Sequence, residues 1–116
     1  MATVVHVKDK VSNAVYIGRG SEWGNPYRIG FDGTREEVIA KYRKYLWDRM
    51  APALQEDIAA YKDLGRLAAL HGKQLACYCS PQACHGDVLV RAAAWAHSIY
   101  NPKYQFYNST TKTYTF

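Results

Sequence analysis

No stretch of this chain stays apolar over the ~18 residues that a bilayer-crossing helix needs, so no membrane role is expected. The opening residues, MATVVHVKDK, have no basic segment followed by an apolar one, which argues against a secretory signal. There is no internal repeat, no block of like charge, and at 116 residues no room for a second domain. The familiar nucleotide fingerprints, GxGxxG and the G-K-[ST] ending of a Walker loop, are missing too. Cysteine is scarce and confined to one place, with Cys77, Cys79 and Cys84 the only three in the chain. The expected setting is cytoplasmic, where thiols stay reduced, and this favours a reactive or metal-binding role over disulfides.

What remains is an ordinary globular composition, 48% hydrophobic and 22% charged, with a net charge of +5. A basic balance suits an anionic partner (nucleotide, nucleic acid or phosphorylated metabolite) and equally suits a merely solvated surface. Ten tyrosines are many for this length, and several must be core or contact residues.

Residues 3–8, TVVHVK, and 14–18, AVYIG, read as two strands paired through the turn from Asp9 to Asn13. Residues 18–33 are too rich in Gly, Asn and Pro for a helix or long strand and read as an ordered loop. Thr34 and Glu37 have the spacing of a capping box, and Val38, Tyr42, Tyr45, Leu46 and Arg49 or Met50 continue with helical period. Pro52 interrupts that helix, and a second one carrying Leu54, Ile58, Tyr61 and Leu64 is expected to run to about Leu70, with Gly72 ending it. Lys73 to Cys79 form a third strand, apolar on both faces as a central parallel strand should be. A third helix follows, its buried stripe formed by Val88, Leu89, Ala92, Trp95 and Ala96. The expected fold is a small single-domain α/β layer over residues 1–100, its short, mainly parallel sheet flanked by helices. The tail 101–116, aromatic and polar by turns, suits a hairpin, an oligomerisation arm or a frayed end.

Chemistry concentrates in CYCSPQACHGD, where a strand meets a helix start. Three readings stay open there. A helix N-terminus near Cys84 would present free N–H groups to an anion, with Gly86 allowing close approach. The same field would favour a thiolate at Cys79 or Cys84, with His85 and Asp87 as acid and base. Alternatively Cys77, Cys79, Cys84 and His85 are the ligand types of a structural zinc site, although C-x-C-x4-C-H is poor spacing for one ion. The third reading is packing alone, most natural for Cys77 on a central strand. The second candidate segment, GRGSEWGNPY, offers Arg19 to phosphate, Ser21 as a hydroxyl, Trp23 for stacking and Asn25 for hydrogen bonding between flexible glycines such as Gly18. If the second and third strands are parallel neighbours, both loops open into one crevice, where α/β folds bind ligands.

YIGRGSEWGNPY, GTREEVIAKYRKYL and GKQLACYCSPQACHGDVL together resemble the phage and bacterial family catalogued as domain of unknown function 4326, over residues 14–90. The resemblance implies shared motif positions rather than an activity: Gly18, Arg19, Trp23, Gly24, Asn25, Pro26, Cys79, Pro81, Cys84, His85, Gly86 and Asp87. The leading expectation is a binder of a small phosphorylated or nucleotide-like ligand between the 18–28 and 79–87 loops. It would sequester that ligand, or act on it as a hydrolase or transferase. The rival is a zinc-stabilised module for nucleic acid or a protein partner, its basic, tyrosine-rich surface making the contacts.

Overall fold

The computed structural model describes residues 1–79 and 82–100, so the expectations for the 101–116 tail lie outside the described residues. Three strands, β1 (Thr3–His6), β2 (Val15–Tyr16) and β3 (Gln74–Cys77), form one sheet in the order β1-β3-β2. Both outer strands run parallel to β3, with Val4 and Val15 each in register with Leu75. The expected pairing of the first two strands is therefore corrected. Between them the chain makes a single 3-10 turn at Val7–Asp9 and takes left-handed backbone at Lys10 and Asn13, too long and irregular a link for a tight hairpin. The apolar QLAC segment instead takes both as neighbours, as its burial on both faces requires.

Helix α1 (Arg35–Met50) begins at the capping box read from the sequence: Thr34 Oγ1 accepts from the Glu37 amide, and Glu37 Oε1 accepts from the Thr34 amide. Pro52 falls in the first turn of a 3-10 segment, Ala51–Gln55, where its missing N–H costs little. Glu56 then takes left-handed backbone, and α2 (Ile58–Ala68) starts afresh with the Asp57 carboxylate accepting from the Ala60 amide at 2.9 Å. Leu54 thus precedes the second helix rather than belonging to it. Helix α3 (His85–Ile99) packs on α1, α2 and β1 through Val88, Leu89, Ala92 and Ala96, with Trp95 half-buried beside them. Ile17, Tyr42, Leu46, Met50, Leu64, Leu67 and Leu75 complete a core from which water is excluded. Among the described residues no helix is long and apolar enough to cross a membrane.

Because β2 and β3 are parallel neighbours, the segments after Tyr16 and after Cys77 leave the sheet at the same end. Ile17 continues the contact by donating its amide to the Ala76 carbonyl at 2.9 Å. Gly86 in the first turn of α3 makes the close approach behind this edge possible, since a Cβ there would lie 3.0 Å from both Ile17 Cδ1 and Val4 Cγ2.

Candidate functional site

A cavity of about 410 Å³ opens between these two segments. One wall is the loop after β2, through Gly18, Arg19, Asn25, Tyr27, Arg28, Ile29 and Phe31. The start of α1 contributes Arg35, Val38 and Ile39, and the floor is made by Cys77, Cys79, Ala83, Cys84 and His85 with Tyr78 at the edge. Among the described residues three arginines line the cavity, and no aspartate or glutamate does. Arg19 and Arg28 are exposed, and their guanidinium groups have no hydrogen bond or ion pair among the described residues. Arg35 is half-buried and braces the far loop, donating to the Ala83 carbonyl and to Gln82 Oε1, both at 2.9 Å.

The floor is organised differently. Cys84 is the N-cap of α3, its sulfur accepting from the Gly86 amide at 3.2 Å, while Asp87 Oδ2 accepts from the Cys84 amide at 3.1 Å. The Asp87 amide is also engaged, donating to the Cys84 carbonyl at 3.0 Å. Of the amides expected to seat an anion, those of Cys84, Gly86 and Asp87 are thus engaged by the helix's own carboxylate, sulfur and carbonyl. Gly86 and Asp87 do not line the cavity at all. Burial and the contact with Cys77 push the Cys84 thiol up to about 12, so the helix field does not make it a thiolate at neutral pH. Cys79 is half-buried and does line the cavity.

His85 is buried, with Nε2 2.7 Å from the Ile17 carbonyl and its ring edge-on to Tyr42 at 5.0 Å. A carbonyl only accepts, so Nε2 carries the proton and the neutral ring keeps its lone pair on Nδ1. Burial holds its pKa below the usual imidazole value, and the nearby Arg19 charge adds to this. The site thus contains a histidine that is neutral at pH 7, of fixed tautomer, beside an arginine.

The zinc set is not assembled. Among the described residues no group of three or more His, Cys, Asp or Glu side chains is placed to hold a metal ion. The Cys84 sulfur is turned to Cys77 and Gly86, and the His85 Nε2 to Ile17.

Residues 4–95 match the family model described as Domain of unknown function (DUF4326). The chain belongs to that family. Over 76 residues it is 37% identical to the uncharacterized 12.4 kDa protein in the nrdA-td intergenic region of Enterobacteria phage T4, covering 65% of this chain and 62% of that protein. The chain thus spans less than two thirds of the length of that curated relative. No solved structure matches it.

Within this DUF4326 chain, the 18–28 loop divides its motif residues between cavity and core. Gly18, Arg19 and Asn25 line the cavity. Asn25, however, spends its side chain on the loop itself, donating to the Val38 carbonyl at 3.2 Å and accepting from the Tyr27 amide at 2.9 Å. Ser21 donates to the Gly18 carbonyl at 2.7 Å and does not line the cavity. Trp23, expected to stack on a ligand, is buried at 4% exposure beneath the Arg49 guanidinium, which lies 4.7 Å from the ring. Its carbonyl accepts from the Tyr42 hydroxyl at 2.7 Å, so Trp23 is part of the core. The aromatic rings available at the cavity are Tyr27, Phe31 and Tyr78, the last two 88% and 66% exposed. Sequence reasoning missed these three, along with Arg28 and Arg35. Arg35 carried a usable signal, because a cation in the first turn of a helix opposes the macrodipole and implies a partner elsewhere.

Proposed function

We propose that the protein binds a small phosphorylated or nucleotide-like ligand in the cavity between the 18–28 and 79–87 loops. The observation that carries this reading is a cavity lined, among the described residues, by three arginines and no carboxylate. Charge-assisted hydrogen bonds from guanidinium groups suit phosphate oxygens, and Arg19 and Arg28 have their donors uncommitted among the described residues. Phe31, Tyr78 and Tyr27 offer faces for a planar base, the part first assigned to Trp23. Ligand binding without turnover is what sequestration requires. Turnover as a hydrolase or transferase would draw on His85, whose unprotonated Nδ1 is fixed by the Ile17 contact and suits a general base.

The test is a melting-temperature screen against nucleoside mono-, di- and triphosphates, pyrophosphate and inorganic phosphate. A ligand at ~100 times its Kd adds about 2.7 kcal/mol to stability, enough to raise the melting temperature by several degrees. A flat response across the panel at millimolar concentrations contradicts the reading.

A further inference from the structure

Cys77 ends β3 and Cys84 caps α3, and their sulfur atoms lie 3.4 Å apart. Both are buried, at 1% and 3% exposure, and both are among the residues that line the cavity. Bonded sulfurs sit ~2.05 Å apart, so about 1.4 Å of movement separates this contact from a disulfide. The ligand reading assigns no role to this pair.

We propose that Cys77 and Cys84 are a redox-active dithiol in the cavity floor, exchanging with small-molecule disulfides and closing to an intrachain disulfide that alters the cap of α3. The inference does not depend on which ligand the cavity takes. In the first step one of the two sulfurs, having lost its proton, attacks a reagent RS–SR, forming a mixed disulfide and releasing RS–H once the proton is returned. The second sulfur then attacks the first, forming the Cys77–Cys84 bond and releasing the second RS–H. Two electrons pass from the pair to the reagent, and two thiol protons leave on the two RS–H products. The Cys84 sulfur is also the acceptor for the Gly86 amide at 3.2 Å, so drawing it toward Cys77 disturbs the first turn of α3 and the cavity floor together. Burial raises the Cys84 thiol, so attack by Cys84 quickens on the alkaline side.

Cleavage after Lys73 and Arg91 puts all three cysteines on one tryptic peptide, Gln74–Arg91, which has no internal Lys or Arg. The wild-type chain is equilibrated with excess oxidised glutathione at mildly alkaline pH, alkylated under denaturing conditions, digested and sequenced by mass spectrometry. The expected product is a Cys77–Cys84 link, two hydrogens lighter, with Cys79 alkylated or carrying glutathione; the link survives Cys79→Ser and vanishes in Cys77→Ser. A bond through Cys79, or three cysteines without any link, overturns the proposal. The Gly86 amide resonance is the companion readout. It shifts on oxidation if the bond and the helix cap are coupled, and an unmoved resonance in cross-linked protein refutes that coupling.

Discussion

The two sides of the cavity are built on opposite terms. The floor, with Cys77, Cys84 and His85, is buried and held by internal contacts: sulfur to sulfur, sulfur to the Gly86 amide, imidazole Nε2 to the Ile17 carbonyl. The opposite wall presents Arg19, Arg28 and Phe31 to solvent, with the arginine charges uncommitted among the described residues. The residue types richest in chemistry therefore do much of the holding. In the proposed reading, recognition would fall to the arginines with Tyr27 and Phe31, which stand outside the cysteine motif, and to Tyr78 within it.

The same contrast runs through residues 18–33, and it gives the largest expected effect. Trp23→Ala removes a buried indole and should cost about 3–5 kcal/mol in chemical denaturation. Phe31→Ala, at an 88% exposed position, should stay within about 0.5 kcal/mol of wild type while weakening ligand binding. If the two variants lose equal stability, the division between core and cavity residues is wrong.

At the floor, Cys84→Ala deletes the side-chain cap of α3 and should cost about 0.5–2 kcal/mol, whereas Cys84→Ser keeps an acceptor and should cost less. Equal losses in the two would show that the sulfur matters for packing rather than capping. The smallest effect is a pH dependence. His85 has its folded pKa held below the unfolded value of about 6.5, so the unfolded chain binds the proton more readily. The stability from a neutral His85 is therefore complete above that unfolded value and is lost as pH falls through it toward the folded pKa. His71, also lowered by burial and by its stacked neighbour His97, acts with the same sign. Melting temperature should fall on acidification below about pH 6.5, less so in His85→Gln, and a rise on acidification would contradict a buried neutral imidazole.

Local signals were legible. Thr34 and Glu37 make the expected capping box because its partners lie three residues apart, and the buried stripe of α3 follows from its helical period. Partners far apart in sequence were not. The pairing of the first two strands was misread because both of their neighbours lie in β3, more than fifty residues downstream. Trp23 looked like a stacking residue because nothing nearby in sequence reveals that Arg49 covers it and Tyr42 holds its carbonyl. The joining of the two loops at one cavity was legible because it needed only that β2 and β3 be parallel neighbours. Its chemistry was less so, since Arg35 reaches Gln82 and Ala83 from 47 and 48 residues away.

The central claim is that the arginine wall recognises phosphate, and calorimetric titration of wild type and the Arg19→Ala/Arg28→Ala double variant with nucleoside phosphates and pyrophosphate tests it most directly. Hydrogen bonds to charged groups contribute about 1.5–3 kcal/mol each, so the account predicts binding to wild type and at least a ~10-fold loss in the double variant, with its fold unchanged by circular dichroism. Binding of undiminished affinity in the double variant, or none to the wild type, would contradict it.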